Sequence, residues 1–379
     1  MLYRNPGRFL FSLLPANYLS GDKGNMSFHH SPDVVVIGGG IVGSSIAYHL
    51  SQHTNVTIVA KELGGVATPN SFAWLNAVSG DPQYYYDFRF RSLERWREIT
   101  EEVPGLAVRW AGTLDWSLEG EELDAYVEKF AGWGSDIVRV DHSTLSSLEP
   151  GFEESGIPEW GAHSREDGAL EAHVAARQLI AEAEKNGATY LQGEVTGFLK
   201  RHGRVSGVVT SKGRIPARHV VVAAGLGSVD LLASENVTLP LAGQAGLLVN
   251  SHPTTTKYVS GVVYNQDIHI RQTLDGRIRA GGSVQGDDPQ QVAEETFALV
   301  KKALRDSEDL ELDYFTIGYR PMPEDGLPIL GATGVDGLTV AVMHSGVTNA
   351  ALVGELLSKQ ILTGESDPAL ADFQLDRFQ

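Results

Sequence analysis

DVVVIGGGIVGSSIAYHL, residues 33–50, is the stretch that decides the fold. Asp33 to Ile37 is a β-branched run of strand length. Three glycines follow, and Val42, Ile46 and Leu50 then recur at four-residue spacing on one helical face. Asn55 to Ala60 reads as a second strand, which completes a βαβ unit of about thirty residues. Such a unit implies a parallel sheet covered on both faces, so the chain opens as an α/β domain. Gly38, Gly40 and Gly43 satisfy G-x-G-x-x-G. With 42 glycines in 379 residues, about 11%, that pattern alone is expected about 0.5 times by chance. Its weight comes from position. Between a strand and a helix, bare backbone from Gly38 through Ile41 and Val42 to Gly43 lets a pyrophosphate reach the helix N-terminus. The carboxylate that would hold a ribose is expected at the end of the second strand, where Ala60 stands, followed by Lys61 and Glu62. Either Glu62 reaches the ribose hydroxyls or Lys61 and water replace that contact, and the sequence leaves both open.

Working outward, an amphipathic helix is expected over Tyr84 to Glu102, with Phe88, Phe90, Leu93 and Trp96, leading into a tryptophan-rich mixed region of a second domain. Glu171 to Lys185 reads as a helix stopped at Asn186-Gly187. Short strands follow at Thr189–Leu191, Glu194–Phe198 and Arg204–Thr210, then a buried strand at His219–Ala224 ending on Gly225. Gly243–Val249, Tyr258–Tyr264, Ile268–Arg271 and Arg277–Ala280 read as antiparallel strands, the last two joined through Asp275-Gly276. Leu338–Met343 and Thr348–Leu362 return the chain to the first domain as strand and helix. The expected division is an extension at 1–30, a nucleotide-binding domain from 31–77, 155–243 and 318–379, and a substrate domain from 78–154 and 244–317.

Composition narrows the partners. Thirty basic against 48 acidic residues give a formal charge of -18, which repels phosphate backbones and anionic bilayers, so no nucleic acid is expected. No apolar run approaches the roughly 20 residues of a spanning helix. The chain has no cysteine, which excludes disulfides, thiolate metal sites, cysteine nucleophiles and thioether-linked cofactors. The expected location is the cytoplasm. Residues 1–25, with Arg4, Arg8 and a short apolar patch at 9–14, are a weak match to an organelle-targeting peptide, and Met26 is an alternative start. His49 and His53 stand four apart but enclose no glutamate, so a solvated helix end is expected there rather than a metal site.

Four segments resemble the FAD-dependent oxidoreductases of the D-amino acid oxidase, glycine oxidase and sarcosine oxidase type. They are VVVIGGGIVGSSIAYHL (34–50), VVVAAGLGS (220–228), GYRPMPEDGLPILG (318–331) and LTVAVMHSGVTNAALVGELL (338–357). The last two are the more specific, because a glycine fingerprint alone does not separate FAD from NAD. The resemblance implies a Rossmann-like, GR2-type FAD domain with a parallel sheet, interleaved with an α+β substrate domain on an antiparallel sheet. It implies that Gly38, Gly40 and Gly43 hold the pyrophosphate and that Thr68 and Ser71, in GGVATPNSFAW, line the flavin side. It also implies that Val195 meets adenine and that Ala224 and Gly225 end a cofactor-lining strand. The N–H groups near Gly346, Val347 and Thr348 would face the flavin pyrimidine edge. Without cysteine, and without histidine between Leu63 and Ala77, non-covalent FAD is implied.

On the substrate side, Arg320 matches the arginine that grips the substrate carboxylate in D-amino acid and glycine oxidases, a task suited to a planar guanidinium. The bland alternative is an arginine pinning the tail to Asp or Glu. His269 and Arg271 alternate on one strand and share a face, so both are candidate substrate contacts. The implied reaction is oxidation of an amino acid or N-alkyl amino acid, with oxygen or another acceptor taking the electrons. A 2-hydroxy acid dehydrogenase using His269 as base, and a non-catalytic FAD-binding assembly partner, remain open on the sequence.

Overall fold

The computed structural model describes residues 33–282 and 284–379. The expectations for residues 1–30 lie outside them. The opening unit forms as read: strand Val34–Ile37, helix Ile41–Ser51 and strand Val56–Ala60, the two strands parallel. They sit at the centre of a six-stranded sheet. Its order is Ile329–Ala332, Leu338–Val342, His219–Val222, Val34–Ile37, Val56–Ala60, Thr189–Gln192. All pairings are parallel except that of Ile329–Ala332 with Leu338–Val342.

Strand residues alternate between two cores. Val34, Val36, Ile58 and Val221 pack with Ile46, Leu50, Leu352 and Leu356 of the covering helices. Val35, Ile37, Val59, Val220 and Val222 pack with Val205, Val208 and Ile215 of a three-stranded antiparallel sheet on the other side. Burial on both faces is why these strands read as continuous apolar runs. The first helix crosses the C-terminal helix Gly346–Thr363 at close range: a Cβ on Gly354 would stand 2.2 Å from Ser45 Oγ. Helix Gln83–Glu102 also packs on this C-terminal helix, where fully buried Trp96 donates its indole N–H to Val347 O at 3.0 Å and Thr348 O at 3.1 Å. Truncating such a ring costs about 3–5 kcal/mol.

The second sheet has eight strands in the order Leu312–Pro323, Leu241–Ser251, Ile278–Gly282, Ile268–Gln272, Val262–Tyr264, Thr113–Asp115, Trp160–Ser164, Val138–Asp141. One pairing within it, Val262–Tyr264 with Thr113–Asp115, is parallel. The strand expected over Tyr258–Tyr264 begins only at Val262, because the preceding N–H groups are taken by side chains. Gln272 Oε1 accepts from Tyr258, and the Glu149 carboxylate accepts from Ser260 and Gly261. Trp160–Ser164, read with the nucleotide-binding segments, pairs instead into this sheet. The two longest strands, Leu241–Ser251 and Leu312–Pro323, form a ribbon from the edge of the parallel sheet into the core under the second sheet.

His49 departs from expectation. It is buried, with Nδ1–H donating to Ser45 O at 2.8 Å and Nε2 accepting from Arg95 at 3.2 Å. Burial lowers its pKa to about 4. No group of metal-ligating side chains is found among the described residues, and no helix among them is long and apolar enough to cross a membrane.

Candidate functional site

A cavity of about 1560 Å³ opens where the C-terminal ends of the parallel strands meet the face of the second sheet. It exceeds the roughly 300–1,000 Å³ of a site for one small ligand, and it lies where open α/β sheets bind ligands.

At the nucleotide end, Gly38 has φ +119, and a Cβ there would lie 2.2 Å from Ala223 O, so only glycine fits. Gly40 heads the first helix with no capping side chain of its own and no acidic residue in the first turn. Thr68 Oγ1 accepts the Ile41 N–H at 3.1 Å, tying the flavin-side segment to the glycine turn. Ile41, Val42, Ala224, Gly225 and Val195 all line the cavity. Lys61 and Glu62 line it too, but Lys61 Nζ is paired with Glu194 at 2.7 Å. Glu62 forms no ion pair among the described residues, so of the two ribose alternatives it holds the uncommitted charge.

At the end expected to hold the flavin, Ser71 Oγ accepts the Ala73 N–H, while Asn70 Oδ1 is buried without a partner among the described residues. Ser345 sits in the left-handed region at φ 55, ψ 28, and turns the chain from strand Leu338–Val342 into the C-terminal helix. That helix has no side-chain cap, and Gly346, Val347 and Thr348 line the cavity. Thr348 Oγ1 donates to Trp74 O at 3.1 Å, fixing the first turn. A bare glycine turn, the N-terminus of helix Gly346–Thr363 without a side-chain cap, and an amide oxygen with no partner among the described residues, all in one large cavity, fit a flavin dinucleotide.

At the far end, Arg320 projects from strand Leu312–Pro323 and lines the cavity without a carboxylate partner among the described residues. Among the described residues it donates to Ala245 O, at a long 3.4 Å. The bland reading, an arginine anchored on Asp or Glu, is therefore not what the geometry gives. His269 also lines the cavity. Its ring lies over Gly281, where a Cβ would approach it to 2.5 Å. Burial, and secondarily the Arg320 charge, lower His269 to about 4. Burial, then Arg320 and Arg89, bring His344 to about 4 as well. The positive charge of Arg320 thus stands among neutral imidazoles.

Arg271 is a correction. It shares a face with His269, as alternation requires, but is buried on Glu171 (2.7 Å), Phe72 O (2.7 Å) and Leu170 O (3.2 Å), away from the cavity. Its donors hold segments together. Tyr264, Trp74 and His344 line the site and escaped the sequence reading. Only the position of His344, just before the C-terminal helix, could have signalled it.

A family model described as FAD dependent oxidoreductase matches residues 33–360. The chain belongs to this family. Among its relatives, the bifunctional protein ThiO/ThiG of Trichormus variabilis is 28% identical over 92% of the chain, and the chain covers 55% of that protein. The chain thus spans about half the length of the first relatives it matches. Glycine oxidase of Bacillus subtilis is 26% identical over 91% of the chain and 97% of its own length. An L-amino acid deaminase from Proteus vulgaris superimposes with a TM-score of 0.85 at 21% identity, covering 96% of the chain and 99% of that structure. At that identity the likeness is one of fold. The family is FAD-dependent, in agreement with the cavity's fit to a flavin dinucleotide.

Proposed function

We propose that the protein oxidises a small carboxylated amine, an amino acid or N-alkyl amino acid, at the carbon bearing nitrogen. The observation that carries this reading is the Arg320 guanidinium, a cation without a carboxylate partner among the described residues, in the family's cofactor cavity. A carboxylate on Arg320 supplies the missing charge and, held at two oxygens, fixes the orientation of the adjacent carbon. Bound non-covalently, FAD would supply the acceptor for the hydride leaving that carbon, yielding an imine that water hydrolyses, with oxygen or another acceptor then taking the electrons. The chain's own residues position and exclude. Gly38, Gly40 and Gly43 leave room for the pyrophosphate, and Thr68 braces the turn. The N-terminus of helix Gly346–Thr363 presents donors for negative charge. The imidazoles, being neutral, add no charge of their own beside Arg320. They are also weak bases, which argues against a 2-hydroxy acid substrate deprotonated by His269. The names glycine oxidase and ThiO/ThiG among the relatives agree with chemistry at an amino acid.

Anaerobic mixing of the purified flavoprotein with a panel of amino acids, N-methyl amino acids and 2-hydroxy acids tests this. Bleaching by an amine, with release of ammonia or alkylamine, is expected. Bleaching by 2-hydroxy acids alone, or by no member of the panel, overturns it.

A further inference from the structure

The face of the eight-stranded sheet that closes the cavity carries one continuous row of residues. Register places Gly318 opposite Gly246, His269 opposite Gly281, and Tyr264 opposite His269. Directly opposed residues share a face, so Arg320, Gly246, Gly281, His269 and Tyr264 all project toward the cavity. Two glycines in this row are occupied by neighbours. The Arg320 guanidinium leans over Gly246, and the His269 ring leans over Gly281. Guanidinium and imidazole therefore overlie adjacent strands. The offset is about 4.8 Å across the sheet and two residues along it, on the order of 8 Å in all.

Beyond His269 the surface is aromatic. The His269 and Tyr264 rings are 6.0 Å apart at 15°, and Tyr264 and Trp74 are 6.2 Å apart at 24°. Phe72 closes the other side of His269 edge-on at 4.6 Å. Tyr264 keeps 37% of its surface exposed, a large value for an aromatic ring lining a cavity. Trp74 is fixed from behind, its indole N–H shared between Thr113 Oγ1 at 2.9 Å and Asp167 Oδ2 at 3.2 Å. A carboxylated amine of two carbons held on Arg320 would leave this wall uncovered.

We propose that Tyr264, flanked by His269 and Trp74, is the binding surface for the substrate's side chain, and that the preferred substrate is a carboxylated amine bearing an aromatic group. This deepens the reading of Arg320 as the carboxylate clamp and rests on it. The row sets the charged contact at one end and flat, uncharged ring surface at the other, the surface beginning about 8 Å away at the His269 ring and extending one strand further to Tyr264. An aromatic side chain gains burial and ring contact there together. Trp74 is already anchored through its indole N–H, so its ring needs no ordering on binding.

The test uses the holoenzyme and two ligands that carry no amine and are not oxidised, phenylacetate and acetate, followed by perturbation of the flavin spectrum. Phenylacetate is expected to bind at least about tenfold more tightly than acetate. In Tyr264→Ala that preference should largely vanish, and in Tyr264→Phe it should persist. In turnover, Tyr264→Ala should lower kcat/KM more for phenylalanine than for alanine, with whichever enantiomer the enzyme accepts. Equal affinity for the two acids, lost together in Arg320→Ala, would overturn the aromatic wall and keep the clamp. A phenylacetate preference that depends on Tyr264 but survives Arg320→Ala would keep the wall and overturn the clamp.

Discussion

The guanidinium of Arg320 lies against Gly246 of the neighbouring strand, its Cζ 3.6 Å from the place a Cβ at 246 would occupy. That is ordinary van der Waals distance, so the glycine is a shelf on which the side chain rests. Gly246→Ala should be tolerated, with KM for a carboxylated substrate close to wild type. Gly246→Leu should displace the guanidinium and lower kcat/KM by up to about 100-fold, flavin content staying intact. Steady-state kinetics beside flavin-to-protein ratios check this. Wild-type kinetics in Gly246→Leu would show that the contact is incidental.

The glycine turn separates two requirements. At Gly40 a Cβ would stand 3.0 Å from the Thr68 Oγ1 side chain and 3.9 Å from Gly65 Cα, whereas at Gly43 it would meet Gly38 O at 2.2 Å. Gly40→Val should therefore yield folded protein that does not hold FAD, because the branched side chain fills the pyrophosphate's space. Gly43→Ala should damage the fold itself. Circular dichroism melts and flavin content after FAD reconstitution separate the two. Normal flavin binding by Gly40→Val would mean the turn is structural only.

His269 is neutral far below neutral pH, since burial and Arg320 hold it near 4. It therefore does not titrate in the free enzyme between about pH 5.5 and 8. His269→Gln should leave the shape of the kcat/KM against pH curve unchanged in that range. A general base at this position would instead show itself as a lost acidic limb and a fall of about 10²–10⁴ in rate.

Asp167 lies behind Trp74, and burial raises its carboxyl to about 7, against opposing donors from Thr113 and Trp74 and the charge of Arg89. The native state then holds a proton that the unfolded chain, near the ordinary 3.8, has released. Between those values the native state binds more protons, so this group's contribution to stability falls as pH rises, by up to about 1.4 kcal/mol per pH unit. Asp167→Asn removes that dependence. Relative to wild type, its Tm should climb steadily from about pH 4.5 to 7.5. A constant difference over that range would place the carboxyl's ionisation elsewhere.

The nucleotide end was legible in the sequence because it is local. Strand, glycine turn and helix lie within eighteen residues, and Gly38 and Gly43 each answer a close backbone contact within the fold. Arg320 was singled out by its motif, and the absence of a carboxylate partner for it among the described residues emerged only from the fold. Arg271 was misread because alternation gives a face and not a partner. Glu171, which captures it, is 100 residues away in the chain. The same limit hid the aromatic row, since Tyr264 and His269 meet only through strand register and Trp74 reaches them from the separate strand Trp74–Leu75, which pairs with Gly168–Leu170. His49 read as solvated because nothing in its own helix shows that Gly354 lets a second helix settle on it.

Paired turnover assays on wild type and Arg320→Ala at saturating FAD test the account most directly, using a carboxylated amine substrate and the same amine without its carboxylate. Loss of a charge-assisted, two-point contact should cost on the order of 2 to 5 kcal/mol, or about 30-fold to several thousand-fold in kcat/KM, for the carboxylated amine. The decarboxylated amine should be nearly indifferent, flavin content should hold, and Arg320→Lys should recover only part of the loss. Equal losses for both substrates, with flavin and Tm falling together, would contradict the carboxylate clamp and the amino acid assignment with it.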